Sequence, residues 1–317
     1  MAPLPFVIDP DALATAWAAP RQPLGVIDLD GSSRGQDQLV LPPFPVIGSG
    51  EPSHPLAARL DAIIEPPVTL DSIVAQVCAQ PEAAAVAVQA LRLIARLGPA
   101  DALAAESLAY AVLQGSAGHA AWLAGRPLAI AEPPGALAVE RSGELLAVRL
   151  ERAEAGNAID RPMRDGLREA FELAALDPAI RTVRLSGAGK AFSLGADLAE
   201  FGTTRDPATA HAIRLLTLPA HPIAACAHKL EVHVHGACVG AGLEMAAFAR
   251  RITATPRAWF ALPELAMGIL PGAGGCVSLS RRIGRQRAAL LMLSSRRLSA
   301  RRALEWGLVD ALVDELA

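Results

Sequence analysis

The feature that most constrains the fold of this 317-residue chain is an alternation of apolar runs with amphipathic segments that begins near residue 136. The runs that are typical of strands lie at 138–151, with a turn at 142–143, and at 182–186, 232–235 and 308–313. The segments with helical spacing lie at 157–175, 207–218, 278–293 and 299–306. Strands that alternate with helices predict an α/β fold.

The first part of the chain has a different pattern. Residues 1–67 are rich in Pro and Gly, with short apolar runs at 25–29 and 45–48 that predict buried strands and a segment at 54–64 that predicts one helix. Residues 68–131 are Ala-rich and predict a helical array, whose segments lie at 70–79, 83–97, 101–113 and 119–123. We therefore expect three regions, which are a strand-rich extension (1–67), a helical region (68–131) and an α/β core (136–317).

Composition excludes several classes of protein. A net charge of -3 leaves no basic excess to neutralise nucleic-acid phosphates. We find no apolar run of about 18 residues that would predict a transmembrane helix, and the N-terminus does not resemble a secretory signal. The four cysteines form no CxxC pair and show no metal-ligand spacing. We therefore expect a cytoplasmic protein without a metal site or nucleic-acid and membrane partners.

Motifs for phosphate binding and for a serine nucleophile are incomplete. Arg184 stands where a phosphate loop needs its first glycine, and no G-x-G-x-x-G is completed anywhere, which disfavours a nicotinamide dehydrogenase. Ser193 is one residue short of the G-x-S-x-G pattern, and nothing in the sequence places a histidine base beside it. His233 and His235, two apart on a predicted strand, are conceivable metal ligands, but core or surface histidines are the favoured interpretation.

Two glutamates stand in surroundings that are almost devoid of other charge. Glu244 follows the turn Gly240-Ala241-Gly242 and opens an apolar run, and Glu264 follows Pro263 after a short apolar segment. Burial raises the pKa of a carboxyl group, and two such groups are suited to proton transfer near neutral pH. The structural alternative for Glu244 is a buried acid paired with an arginine.

Small residues next to the glutamates predict where a substrate oxygen would bind. Ala196 lies at the end of the glycine-spaced loop 187–198, and Ala241 begins a helix after the second glycine turn. Small residues let a ligand approach the backbone, and the free N–H groups at a helix start carry the positive end of the helix dipole. One N–H from each loop would clasp a carbonyl oxygen that becomes an enolate, and each such donor contributes about 3–4 kcal/mol to transition-state stabilisation.

Three blocks of sequence resemble the crotonase (enoyl-CoA hydratase/isomerase) family. They are ERAEAGNAI (151–159), GKAFSLGADL (189–198), and the stretch from Gly236 to Gly275 that contains GAGLE and LPE. The resemblance implies a crotonase-like α/β spiral of ββα units with a helical array packed on it. It also implies a homotrimer or dimer of trimers that needs no cofactor, since coenzyme A is part of the substrate.

The resemblance also implies roles for individual residues. It makes Ala196 and Ala241 the backbone oxyanion donors and Glu244 and Glu264 the acid/base pair of a lyase, an enoyl-CoA hydratase that adds water across the 2,3 double bond. It implies coenzyme A contacts at Asn157, Ala158, Lys190, Ala191, Phe192, Asp197 and Leu198. Retention of both glutamates is the hydratase pattern. The alternatives are an isomerase or thioester hydrolase of the same fold, a cofactor-free aryl-acetyl-CoA dioxygenase, and a non-catalytic acyl-CoA binder.

One departure from the family pattern concerns the helices that close the acyl-CoA site. In the family these helices follow the point that matches Ala317, whereas here residues 69–127 resemble them. We therefore expect a circular permutation in which the closing helices come first and the Pro-rich linker 132–135 joins them to the core. Packing of 69–127 away from the Ala196 and Ala241 loops would contradict it. Residues 1–66 have no counterpart and are expected to extend the sheet or cover its edge.

Overall fold

The computed structural model describes residues 5–13, 22–31, 39–126 and 132–314. The predicted features at the extreme N-terminus (1–4 and 14–17), at the end of the helical region (127–131) and at the C-terminus (315–317) lie outside these residues. Among the described helices, none is long and apolar enough to cross a membrane.

The N-terminal extension forms a small parallel sheet of three strands, with the order β1 (Gly25–Asp28), β2 (Val46–Ser49) and β3 (Ala62–Ile63). The two predicted strands are therefore confirmed. The predicted helix at 54–64 is wrong, because this segment forms only a 3-10 turn at Ala57–Arg59 before β3. The backbone N–H of Asp61 donates to the carbonyl of Val46, so strand pairing replaces helical hydrogen bonds there.

Residues 68–126, the described part of the helical region, form four helices, which are α1 (Leu70–Ala79), α2 (Pro81–Ile94), α3 (Pro99–Gln114) and α4 (Ala117–Ala124). Thr69 caps α1 by accepting from the N–H of Ser72, and Ser116 caps α4 by accepting from the N–H of His119. The helix α3 begins with Pro99 in its first turn, where the missing N–H has no intrahelical partner to lose.

The core opens with β4 (Ala136–Ser142) and β5 (Leu145–Glu151), the predicted antiparallel pair. The elements that follow are α5 (Arg161–Leu176), β6 (Thr182–Gly187), α6 (Pro207–Thr217), α7 (Ala220–Cys226), β7 (Leu230–Val234), β8 (Ala237–Val239), α8 (Ala241–Ala246), β9 (Arg251–Ala254), β10 (Trp259–Ala261), α9 (Gly275–Ile283), α10 (Arg285–Ser294), β11 (Leu298–Ser299), α11 (Ala300–Glu305) and β12 (Ala311–Leu312). The six-stranded sheet has the order β12-β9-β7-β6-β5-β4 and is parallel except at β4 and β5. A second sheet has the order β11-β10-β8.

Some predicted boundaries in the core are wrong for identifiable reasons. The helix predicted from residue 157 begins at Arg161, because Asn157 has a positive φ of 54° and Asp160 caps the helix by accepting from the N–H of Met163. The helix predicted at 278–293 is two helices, since Gly284 adopts a φ of 82° between α9 and α10. The last predicted strand is only two residues long.

A buried carboxylate joins the three regions. Asp61, in the N-terminal extension, has no exposed surface and accepts from Nε and Nη2 of Arg92 on α2, at 2.8 Å and 2.5 Å. Arg285, at the start of α10, donates to the same carboxylate at 3.2 Å. The carboxylate also accepts from the N–H of Val46. The extension, the helical region and the core are therefore fixed to one another around a single charged side chain.

Candidate active site

A cavity of about 580 Å³ lies between the core loops and the helical region. Its core side contains the residues that sequence analysis singled out for chemistry, which are Ala196, Ala241, Glu244 and Glu264. Tyr110 and Gln114 of α3 and His119 of α4 line the same cavity from the helical region. The helices α3 and α4 thus pack beside the predicted site, and the circular permutation itself stays a prediction.

Backbone hydrogen bonds bring the two glycine loops together. The N–H of Ser193 donates to the carbonyl of Ala237 at 3.1 Å, and the N–H of Val239 donates to the carbonyl of Ser193 at 2.9 Å. Gly240 then turns the chain into α8 with a φ of 49°. A Cβ at Gly240 would lie 2.6 Å from Oε1 of Glu264, so this position has no room for a side chain.

The backbone N–H groups of the two predicted oxyanion donors are not hydrogen-bonded to any described protein atom. Within the described residues, the N–H groups of Ala196 and Ala241 donate to no protein acceptor, although the neighbouring N–H groups of Gly195, Asp197 and Gly240 do. Both amides belong to residues that line the cavity. Unpaired donors at the wall of a cavity are available to an oxygen of a bound molecule, and this availability is what stabilisation of an oxyanion requires.

Glu244 is buried and held by backbone amides. Its Oε2 accepts from the N–H of Ala273 at 2.7 Å and from the N–H of Gly275 at 2.8 Å, and the residue is 2% exposed. Burial raises the pKa of Glu244 to about 7, against the opposing effect of these two hydrogen bonds. No arginine is hydrogen-bonded to Glu244 in the described chain, so the alternative of a structural arginine pair is wrong.

Glu264 has a different environment from Glu244. It begins the 3-10 turn Glu264–Met267, it is buried, and its Oε2 has no hydrogen-bond partner among the described residues. Burial raises the pKa of Glu264 well above its usual range, and the negative charge of Glu244 raises it further. Because Glu244 receives two amide hydrogen bonds that stabilise an anion, Glu244 is the better carboxylate and Glu264 the better proton donor near neutral pH.

A third buried carboxyl group, which sequence analysis did not single out, comes from the helical region. Glu106 of α3 is 2% exposed, and its two oxygens accept from the N–H groups of Gly274 at 2.7 Å and Cys276 at 2.8 Å. These amides alternate along the chain with the two that Glu244 holds. The sequence signal that could have revealed Glu106 is its spacing, because a residue three positions after Leu103 lies on the same buried face of α3.

The residues predicted to contact coenzyme A fall into three groups. Asp197 and Leu198 line the cavity. Lys190 is exposed and Ala158 is partly exposed, and neither residue lines the cavity. Their contacts with coenzyme A stay predictions. Three further residues are buried, and they are Asn157, Ala191 and Phe192.

Direct contact with coenzyme A is wrong for Asn157 and Phe192, because neither has exposed surface. The amide of Asn157 instead donates to the carbonyls of Ala188 and Ala191, both at 2.8 Å, and so shapes the loop that carries Ala196. No local pattern reveals this supporting role, because the carbonyls that Asn157 binds lie 31 and 34 residues further along the chain.

The weaker motifs do not assemble into a second site. The hydroxyl of Ser193 is buried and donates to the carbonyl of Asn157. His233 is hydrogen-bonded to Thr253, and His235 to the carbonyl of Gly189, so neither histidine acts as a base for Ser193. Among the described residues, no group of His, Cys, Asp and Glu side chains is placed to hold a metal ion.

With the fold and the site described, comparison with known proteins identifies the family. Residues 140–316, more than half of the chain, match the family model described as enoyl-CoA hydratase/isomerase. The chain therefore belongs to the enoyl-CoA hydratase/isomerase family, the crotonases, and the predicted crotonase-like α/β fold is confirmed.

Individual relatives agree with this assignment. Mevalonyl-coenzyme A hydratase of Beauveria bassiana is 36% identical over 185 residues, 54% of this chain and 64% of that protein. The 2,3-dehydroadipyl-CoA hydratase of Escherichia coli is 34% identical over 174 residues, 55% of this chain and 68% of that protein. The crystal structure of an enoyl-CoA hydratase from Thermoplasma volcanium superposes with a TM-score of 0.51 at 36% identity, over 56% of this chain and 72% of that one. This chain thus spans about two thirds of these relatives.

Proposed function

We propose that this protein is an enoyl-CoA hydratase, which adds water across the 2,3 double bond of an enoyl-CoA thioester. The observation that carries the proposal is one cavity that contains two unpaired backbone amides, at Ala196 and Ala241, beside two buried glutamates, Glu244 and Glu264. The names of several relatives, which include hydratases of different acyl-CoA thioesters, support the same reaction class.

Each group has a defined part in the proposed reaction. The thioester oxygen accepts hydrogen bonds from the amides of Ala196 and Ala241. Glu244, as the carboxylate, removes a proton from water while the water oxygen bonds to C3, and the electrons of the double bond move toward the thioester oxygen. Glu264, as the acid, gives its proton to C2. The product has gained one hydrogen and one hydroxyl group, and exchange with solvent then removes the proton from Glu244 and returns one to Glu264, so the reaction needs no redox step.

The proposal includes a role for the helical region. We propose that α1–α4 take the place of the helices that close the acyl-CoA site in the family. The support is local, since Tyr110, Gln114 and His119 form one wall of the cavity and Glu106 holds the turn next to Glu244. The family model matches residues 140–316, so this role is supported by the packing of the helices and by the resemblance of residues 69–127 to the closing helices.

The test of the reaction is the rate at which the purified protein hydrates crotonyl-CoA, compared with the rates of the Glu244→Gln and Glu264→Gln variants. We expect each variant to lower kcat by about 10²- to 10⁴-fold, because each removes one proton-transfer step. The control is Glu172→Gln, which alters an exposed pair with Arg168 on α5. Near-normal hydration by both site variants would refute the mechanism, and formation of a shifted double bond instead of a hydroxyl group would identify an isomerase.

The pH dependence of the unaltered protein sharpens this test. Because Glu244 must be ionised and its pKa is raised to about 7, kcat/KM should rise as the pH increases through about 7. Because Glu264 must be protonated and its pKa is raised further above the usual range, activity should fall at higher pH. A flat profile from pH 5 to 9 would contradict the assignment of the two roles.

A further inference from the structure

The wall of the cavity contributed by α3 and α6 contains a cation with an unusual environment. Arg214 of α6 lines the cavity together with Tyr110 and Gln114. Its guanidinium carbon lies 4.4 Å from the centre of the Tyr110 ring, so the charge rests on an aromatic face. Burial lowers the pKa of Arg214, but an arginine keeps its charge at any physiological pH.

Arg214 uses only part of its hydrogen-bonding capacity on the protein. Nε donates to Oγ of Ser107 at 3.1 Å, Nη1 to Oε1 of Gln114 at 2.9 Å and Nη2 to the carbonyl of Ser107 at 3.2 Å. All three acceptors are neutral. A guanidinium has five N–H donors, so one donor remains on each terminal nitrogen.

Apart from the two active-site glutamates, the other Asp, Glu and Arg residues of the cavity wall are paired with an opposite charge within the protein. Arg161 lies beside Glu200, Arg164 is paired with Asp165, and Asp197 is paired with the buried Arg152. Arg214, by contrast, forms no salt bridge with any described carboxylate. Glu106, which is close enough to favour the charged form of Arg214, has both of its oxygens on backbone amides.

The position of Arg214 relative to the reacting groups follows from Tyr110. The Tyr110 ring packs against Gly272, beside the turn that holds Glu244, and both active-site glutamates are close enough to raise the pKa of its hydroxyl. Arg214 lies over the same ring. The two amides, the two glutamates, Tyr110 and Arg214 all line one cavity, so an acyl chain whose thioester oxygen is bound at Ala196 and Ala241 has Arg214 on the wall of the space that it occupies.

We propose that the acyl group of the substrate carries a carboxylate at the end remote from the thioester, and that Arg214 binds it through its two remaining N–H groups. A partly buried guanidinium that lines a cavity and has no carboxylate partner is suited to bind an anion. A carboxylate fits because its two oxygens can accept two parallel N–H hydrogen bonds from an arginine. The proposal rests on the proposed use of this cavity for acyl-CoA thioesters and adds the class of acyl chain.

The experiment compares pairs of 2-enoyl-CoA thioesters of equal chain length that end either in a methyl group or in a carboxylate. For one chain length, we expect kcat/KM to be about 10- to 100-fold higher for the thioester that ends in a carboxylate, because Arg214 forms charge-assisted hydrogen bonds with it. In Arg214→Met this ratio should collapse to one or below, and Arg214→Lys should recover part of it, since lysine keeps the charge without the fork.

Two controls separate substrate binding from support of the helices. Ser107→Ala removes the hydroxyl that accepts from Nε of Arg214 but leaves the charge, so it should preserve the ratio. Arg168→Met removes an exposed positive charge on α5 and should also preserve it. If Ser107→Ala abolished the preference as completely as Arg214→Met, Arg214 would be a structural tie and the proposal would fail.

Binding measurements distinguish failure of this proposal from failure of the proposed reaction. Calorimetric titration with saturated acyl-CoA thioesters of both kinds should show the same preference without any turnover. Preferential binding of the carboxylated thioester in a protein that hydrates nothing would overturn only the hydratase assignment. Hydration without any preference for the carboxylated member of each pair would overturn only the role of Arg214.

Discussion

The core and the helical region contribute to the same cavity in different ways. The core supplies the unpaired amides of Ala196 and Ala241 and the acids Glu244 and Glu264, and it is the part that matches the family. The helical region supplies a wall and one buried acid, Glu106, which is bonded to the core backbone rather than directed at a substrate. The comparison shows that the reacting groups come from one region, while the other fixes their geometry and shapes the space for the acyl chain.

The largest effect is expected from a change in the core. Gly240→Ala should lower kcat by about 10²- to 10³-fold, because the new Cβ would lie 2.6 Å from Oε1 of Glu264 and would displace an acid and an oxyanion donor together. Gly143→Ala is the matched control, since Gly143 also has a positive φ (57°) but nothing lies within 4 Å of its added Cβ. This control should cost about 1–2 kcal/mol of stability and little activity, and equal activity losses would show that backbone strain alone is responsible.

A smaller effect is expected when the helical region loses its acid. Glu106→Gln replaces one acceptor by an N–H₂ group that faces a backbone N–H, so the 273–276 turn should shift and kcat should fall by about 10-fold or more. Because burial and the charge of Glu244 raise the pKa of Glu106 well above its usual range, Glu106→Gln should leave the pH at which activity rises unchanged.

Asp101→Asn, on the exposed side of the same helix, is the control for this prediction. It should leave both kcat and the pH profile unchanged. A Glu106→Gln variant that is less stable but keeps the normal kcat per folded molecule would indicate that Glu106 only supports packing, and would remove it as a positioning residue for Glu244.

The smallest effect on catalysis is expected from a change at Asp61, the buried carboxylate that joins the three regions. The effect of this change on stability is large. Asp61→Asn should lower the free energy of unfolding by about 3 kcal/mol, because it leaves Arg92 and Arg285 around a neutral, buried group. Urea unfolding measures this change, and the exposed pair variant Glu172→Gln should stay within about 0.5 kcal/mol. A normal kcat per folded molecule would show that Asp61 holds the regions together without shaping the active site. A lower kcat would show that Asp61 also affects the geometry of the active site.

Local sequence predicted the core better than the N-terminal extension. The antiparallel pair β4 and β5 and the helix α6 lie close to their predicted bounds because periodicity and the turn and cap residues agree there. The segment at 54–64 has helical spacing too, but Ala62 and Ile63 pair with β2, and periodicity does not contain this long-range contact. The resemblance implied a coenzyme A contact for Asn157, but its burial under a loop depends on contacts that lie far along the chain.

The sequence by itself determined the α/β alternation and the pair of acids in apolar surroundings, because strand and helix periods and the absence of nearby charge are local properties. Only the tertiary structure decided which groups share the cavity. Glu106 and Arg214 are 138 and 30 residues away from Glu244 along the chain, and no local pattern encodes that α3 packs between α6 and α9. Proton affinities and charge balance in the site follow from burial, and burial is a property of the packed molecule.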